Sequence, residues 1–257
     1  MTVVVVTGGT RGIGQGLVHA FLAEGAQVAY CGRTSPEKTV EGALFIQADV
    51  TQREDVRKLW DATTDKYGKV DIWVNNAGLS TSRKPLWELD PTEIDDVVGL
   101  NLRGTLHASA VVLDAMLAQG HGALWNMEGL GSNGQIVPGL TVYGATKRAV
   151  TYATLALAKE LKDTQVKVGL LSPGMVVTDL LTRDYEPAEL EKAKKIFNIL
   201  ADRVETVTPW LAREVLKGTK NGGRVAWLTN RKAAYRFATA AFTKRDVFAR
   251  NENGKES

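Results

Sequence analysis

The chain has 257 residues, 44% of them hydrophobic and 24% charged, which supplies enough apolar side chain for one large domain with a full core. Its 32 basic and 29 acidic side chains leave a net charge of +3, too balanced to point to a nucleic-acid partner. The single cysteine, Cys31, excludes an internal disulfide framework and any multi-cysteine metal site, so a reducing compartment is expected.

The first element is "VVVV" (Val3–Val6), a β-branched run that reads as a buried strand almost from the start of the sequence. No leader peptide is therefore expected before the fold, and the expected location is cytoplasmic, in a prokaryote or in an organelle after leader removal. Gly14–Glu24 follows with Ile13, Leu17, Phe21 and Leu22 at helical spacing, and Gly25 is a suitable stop. Gln27–Cys31 and Ala43–Gln47 read as strands. Arg53–Tyr67 reads as a helix with Val56, Leu59 and Trp60 on one face and Gly68 at its end. After the strand Asp71–Asn75 comes a long helical region, Pro91–Gln119, then the strand Ala123–Asn126, the helix Thr141–Leu161 and the strands Val166–Leu171 and Arg224–Leu228. Gly129–Thr146 lacks charge, but its five glycines, Asn133 and Pro138 make it a loop rather than a membrane span.

Seven strands with helices between them predict an α/β fold: a doubly wound Rossmann domain with a seven-stranded parallel sheet, a single domain over residues 1–257. Met175–Thr208 and Asn230–Ser257 break the alternation and are read as a substrate lid and a C-terminal extension. In the lid, Pro187–Ala201 carries Leu190, Ala193, Phe197 and Leu200 on one stripe. In the extension, Tyr235, Ala238 and Phe242 form a second stripe bordered by Arg231, Lys232, Arg236, Lys244 and Arg245. Such a helix suits closure over a flat ligand or contact with an anionic membrane surface, although ordinary packing against the core or another subunit is the expected role. His19, His107 and His121 have no metal-ligand spacing, so no metal site is expected.

"TGGTRGIG" (Thr7–Gly14) directly follows the first strand and opens the first helix, the context of a dinucleotide-binding turn. Gly8 permits the tight turn, while Gly12 and Gly14 let backbone and helix end approach a pyrophosphate. The second strand ends "AYCGRT", without the carboxylate that would bind the ribose of NAD. Arg33 there and Arg11 in the glycine loop can pair with a 2′-phosphate instead, which makes NADPH the expected cofactor. Tyr143 and Lys147 lie at i and i+4 on one helix face, and a neighbouring ammonium can draw a tyrosine pKa down toward working pH.

With "ADV" (Ala48–Val50), "NNAG" (Asn75–Gly78), Asn101 in "NLRG", "YGATK" (Tyr143–Lys147) and "SPG" (Ser172–Gly174), the chain resembles the short-chain dehydrogenase/reductase family over nearly its whole length. The resemblance implies that Tyr143 protonates a carbonyl oxygen, Lys147 holds the nicotinamide ribose and lowers the tyrosine pKa, and Asn101 supports a water-mediated proton relay. It places Gly8, Thr10, Arg11, Gly12, Ile13 and Gly14 on the pyrophosphate side of the cofactor and Asp49 and Val50 at the adenine. It also places Asn75, Ala77 and Gly78 along the cleft, with Pro173, Gly174, Val176 and Thr178 at the nicotinamide end. A homodimer or homotetramer is implied too.

The carbonyl-orienting serine of the family usually stands thirteen residues before the tyrosine, but Leu130 occupies that position and Ser132 is the nearest hydroxyl. Ser132 is read either as the orienting donor or as a turn cap. Glu128 is read as a surface carboxylate, with an active-site neighbour as the alternative. "NMEGLGSNG", "YGATKRAV" and "SPGMVVTDLL" further resemble the chlorophyll b reductase branch, whose members reduce a C7 formyl group with NADPH. That resemblance implies a large apolar pigment as the substrate. The alternatives are another apolar ketone, a ketoacyl thioester, or a non-catalytic NADP(H)-binding module.

Overall fold

A computed structural model describes residues 1–218, 220–243 and 245–249. Seven strands form one parallel sheet: β1 (Val3–Val6), β2 (Gln27–Gly32), β3 (Ala43–Gln47), β4 (Ile72–Asn75), β5 (Gly122–Met127), β6 (Val166–Ser172) and, after two short strands of the lid, β9 (Gly223–Ala226). Their order is β3-β2-β1-β4-β5-β6-β9. Winding reverses between β1 and β4, and this opens a crevice beyond the carboxyl ends of the strands, where ligands of doubly wound sheets bind. All four valines of β1 are fully buried, as a strand covered on both faces must be.

Each face of the sheet is sealed by its own apolar cluster. On one side Leu17, Val18 and Phe21 of α1 (Gly12–Ala23) pack with Val207, Leu211 and Val215. On the other, Val56, Leu59 and Trp60 of α2 (Arg53–Tyr67) meet Val111, Val112 and Met116. The long helix expected over Pro91–Gln119 is three segments: α3 (Pro91–Val98), a π-helical turn Gly99–Gly104, and α4 (Thr105–Gln119). The wider turn begins and ends at glycine, and a Cβ on Gly104 would lie in ordinary contact with Val50, 3.4 Å away. Such turns recur at functional sites, and this one carries Asn101.

The segment expected to form a lid consists of β7 (Val176–Val177), α6 (Asp179–Thr182), α7 (Pro187–Leu200) and β8 (Asp202–Arg203), with β7 and β8 paired in parallel. The expected stripe of α7 does face inward: Leu190, Ala193 and Phe197 pack with Tyr185, Ala201, Val247 and Phe248. The expected lid boundary at Thr208 is corrected, because it cuts through α8 (Val204–Lys217), a core helix that crosses α1. The crossing is close: a Cβ on Gly16 would stand 2.4 Å from Val204 Cγ1.

The stripe expected on the C-terminal extension does not pack against the core of its own chain. The apolar side of α9 (Asn230–Thr239) faces outward, with Tyr235, Phe237 and the following Phe242 exposed. Arg236 and Arg245 turn inward instead: buried Asp202 takes Arg236 in a two-pronged ion pair at 2.8 and 3.0 Å, Arg245 at 2.7 Å and the Trp227 indole N–H at 2.6 Å. Lys244 and residues 250–257 of the extension lie outside the described residues. Among the described residues, no helix is long and apolar enough to cross a membrane.

Candidate active site

The glycine loop runs from β1 into α1 with Gly8 and Gly12 at φ 63° and 55°, conformations that side chains with a Cβ rarely adopt. A Cβ on Gly8 would sit 2.8 Å from Ala77 Cα, and one on Gly14 would sit 2.0 Å from the Gly8 carbonyl. The start of α1 has no side-chain cap and no acid in its first turn, so its N–H groups are left for an anion. Thr10 packs against Gly32, Ile13 joins the core on the α1 side, and Gly12 lies 3.5 Å, as a Cβ would, from the Thr178 methyl group. A dinucleotide fits this arrangement: a glycine-lined trough opens at an uncapped helix end and leads toward Thr178.

Arg11 and Arg33 are both exposed. Beside them a cleft of about 500 Å³ is lined by Thr10, Gln15 and Thr34 through Lys38. Asp49 uses one carboxylate oxygen to accept the Thr51 N–H and hydroxyl at 2.9 and 2.8 Å, and Val50 is buried against Gly104. Asn75 requires a correction. Its side chain is committed to a buried network, accepting from Trp73 and donating to Asn126 and Ser109, rather than to the cleft. The neighbouring Asn76, missed in the sequence, ties the cleft floor by donating to the carbonyls of Thr7 and Gly8 at 2.9 and 3.2 Å. Asn side chains in a row at a strand end alternate faces, and that period of two was the available signal.

At the far end of the crevice, α5 (Thr141–Glu160) carries Tyr143 and Lys147 on one face. Lys147 is buried and its Nζ donates to the Met127 carbonyl at 3.1 Å, lying 5.9 Å from the Tyr143 ring centre. Asn101, fully buried, holds Leu79 through both its side-chain atoms at 2.8 and 2.9 Å and also donates to Thr146. Gly78 completes the group: a Cβ there would lie 3.1 Å from Asn101 Oδ1 and 3.7 Å from Lys147 Nζ. Beyond β6, Pro173 is buried, Gly174 turns at φ 72° against Leu228, and Val176 begins the lid. Gly78, Asn101 and the Tyr143–Lys147 segment thus come together from three parts of the chain.

Burial pushes the Tyr143 pKa up to about 12, so the phenol stays protonated through the working range. Burial also draws Lys147 down to about 8, an effect that the Glu128 carboxylate opposes. At pH 7 a lysine with that pKa is still mostly the ammonium, and it lies 5.9 Å from the tyrosine ring centre. What results is a neutral proton donor beside an amine that titrates near neutrality.

Ser132 is buried, and its hydroxyl accepts the Gly129 N–H at 3.1 Å and donates to the Lys147 carbonyl at 3.3 Å. It holds the loop 128–140 to α5 in the manner of a turn cap. The residue that abuts the Tyr143 hydroxyl is Gly129, where a Cβ would stand 2.3 Å from the oxygen. Glu128, expected at the surface, is 5% exposed, because Thr151 and Arg224 bind its carboxylate.

A Rossmann sheet with a glycine-loop cleft and a Tyr-Lys pair on one helix face defines a nicotinamide-dependent oxidoreductase. The chain belongs to the short chain dehydrogenase family, which it matches over residues 2–189. It is 34% identical over 249 residues to chlorophyll(ide) b reductase NOL, chloroplastic, of Arabidopsis thaliana, an alignment covering 90% of this chain and 71% of that one. L-fucose dehydrogenase of Oryctolagus cuniculus is 40% identical over 186 residues, covering 69% of this chain and 64% of that protein. Among solved structures, 3-ketoacyl-(acyl-carrier-protein) reductase from Brucella melitensis, complexed with NADH, superposes with a TM-score of 0.75 at 27% identity, covering 90% of this chain and 98% of that one.

Proposed function

We propose that this oxidoreductase uses NADPH to reduce a carbonyl, and that the carbonyl is the C7 formyl group of chlorophyll b or chlorophyllide b. The observation that carries the reading is the half-buried Tyr143 hydroxyl set against the Gly129 backbone at the end of the crevice, with buried Lys147 one turn further along α5. A carbonyl oxygen placed at that hydroxyl accepts its hydrogen bond and then its proton as the carbon is reduced. NADPH, when bound, supplies the hydride. Lys147 and Asn101 hold the ribose end and the proton path, Gly8, Gly12 and Gly14 admit the pyrophosphate, and Arg33 with Arg11 meets the 2′-phosphate. Gly129 lets the backbone of the loop lie directly against the tyrosine hydroxyl, next to Leu130 at the family's serine position.

A large, flat substrate is supported by the relative named a chlorophyll(ide) b reductase and by apolar side chains on the loops around the crevice. Trp87 and Ile136 are exposed on the loops after β4 and β5, which touch where Gly139 meets the Arg83 backbone. The outward aromatic side of α9 suits contact with a membrane surface that holds such a pigment. Exposed Leu106 and Leu117 on α4, with Tyr152 and Leu155 on α5, suit a homodimer or homotetramer. A second reading, reduction of a ketoacyl thioester or another apolar ketone, draws on the Brucella melitensis neighbour.

The test is anaerobic incubation of the protein with NADPH and chlorophyll b or chlorophyllide b, with the pigments then separated chromatographically. Formation of the 7-hydroxymethyl pigment by wild type and its loss in Tyr143→Phe supports the reading. Turnover of apolar ketones without pigment turnover moves the assignment to the second reading.

A further inference from the structure

Glu128 follows β5, one residue after the carbonyl that holds Lys147 and one before the glycine that abuts the Tyr143 hydroxyl. A buried carboxylate is disfavoured by desolvation unless partners satisfy it. Here they come from two other elements. The Thr151 hydroxyl on α5 lies 3.0 Å from Oε1, and the Arg224 guanidinium on edge strand β9 lies 2.9 Å from the same oxygen. Thr151 stands one turn beyond Lys147 and also lies 3.1 Å from the Lys147 carbonyl. The Glu128 backbone N–H donates to Leu171 of β6 at 2.8 Å. One residue therefore joins β5, β6, β9 and α5 at the point where the lysine is held.

We propose that Glu128 is a positioning residue for Lys147, its carboxylate clamped by Thr151 and Arg224 so that it fixes the end of β5 against α5 and supplies the countercharge of the ammonium. The inference rests on the reading of Tyr143 and Lys147 given above. The groups facing Lys147 are few. From α5 come Tyr143, which stays neutral, and Arg148, whose guanidinium is turned to the Ser132 carbonyl at 2.9 Å. The π-helical turn contributes Asn101, which is uncharged, and β9 contributes Arg224, which is turned onto Glu128. Among the described residues, Glu128 is the carboxylate whose charge acts on the lysine, and it acts against the burial that draws the ammonium toward the neutral amine.

Two substitutions separate countercharge from packing. Glu128→Gln keeps the size and an oxygen acceptor while removing the charge; Arg224→Met removes the group that neutralises the carboxylate. The readout is the alkaline limb of NADPH affinity, followed by nucleotide fluorescence from about pH 6 to 10, together with the same limb of kcat/KM for chlorophyllide b. The limb is expected to move down by about one pH unit in Glu128→Gln, up in Arg224→Met, and back toward wild type in Glu128→Asp. No movement in either variant, or movement in the same direction in both, overturns the inference. Should Glu128→Gln not fold, Arg224→Met decides by its sign, since an unmoved or lowered limb overturns the inference. If wild type reduces no carbonyl while the binding limbs still move oppositely, the reductase reading falls and the assignment of Glu128 stands.

Discussion

Gly129 lies directly against Tyr143, so close that a Cβ on the glycine would stand 2.3 Å from the phenolic oxygen and 3.0 Å from Cζ. No side chain fits there without moving the ring. The distance makes glycine a requirement of the tyrosine's position rather than of the loop's conformation, because Gly129 has no positive φ. Gly129→Ala is therefore expected to displace the hydroxyl and lower kcat by at least about tenfold, since misplacement by about 1 Å can cost a hundredfold. NADPH affinity is expected to stay near wild type. Steady-state kinetics with a fluorescence titration checks both, and an unchanged kcat would show that the ring is not held where the structure places it.

Lys147 sets activity against stability. Its pKa falls from 10.5 in the open chain to about 8 when folded, chiefly through burial, so the unfolded state binds more protons across that interval. Stability from this group rises with pH between about 8 and 10.5, and below that interval the folded protein carries the full penalty. Lys147→Met keeps the apolar stem and is expected to abolish turnover while raising stability at pH 7 by roughly 1 to 3 kcal/mol. The gain should shrink as the buffer is raised toward pH 10. Denaturant melts at three pH values test the sign, and a loss of stability at pH 7 would contradict it.

Arg33 is the test of coenzyme choice. Its guanidinium is exposed at the end of β2 beside the cleft lined by Thr10 and Thr34. Arg33→Ala is expected to raise the KM for NADPH about tenfold or more and leave that for NADH within about twofold, the loss of a charge-assisted phosphate contact. Equal effects on the two nucleotides would refute the preference for the 2′-phosphate.

Asp202 holds the lid to the C-terminal segment. Burial disfavours its ionisation, but hydrogen bonds from Arg236 and Trp227 and the charges of Arg236 and Arg245 outweigh that and keep its pKa below the usual value. A depressed carboxylate contributes stability above its unfolded pKa and loses it as pH falls through the folded one. Asp202→Ala strands two arginines, each less than a third exposed, and is expected to cost about 3 to 5 kcal/mol in chemical denaturation. Limited proteolysis should cut the lid sooner in the variant, and unaltered cleavage would detach Asp202 from that role.

Much of this was legible in the residues. Val-rich strands, Gly25 and Gly68 as helix stops, and the glycine loop fix the sheet and its crevice from local pattern. Tyr143, Lys147 and Asn101 were identified by motif and meet in space. What was not legible depends on partners distant in sequence. Glu128 reads as a surface charge until Arg224, 96 residues later, closes on it. Arg236 and Arg245 look like a basic rim until Asp202 turns them inward. Asn75 and Asn76 are indistinguishable by type, and only the strand's alternation sends one into the core and the other to the cleft. The helix α8 was hidden because Pro209 lies inside it.

The Asp202 junction also bears on how the molecule comes into being. Its two arginines lie 34 and 43 residues downstream, and the arginine that steadies Glu128 lies on the last strand of the sheet. During synthesis the nucleotide half, β1 through β5, emerges complete well before these residues leave the ribosome. A nascent chain can thus possess its glycine loop and its tyrosine while the far wall of the crevice is still unsecured. The ion pairs at Asp202 and Glu128 can close only after the elements they join have been made.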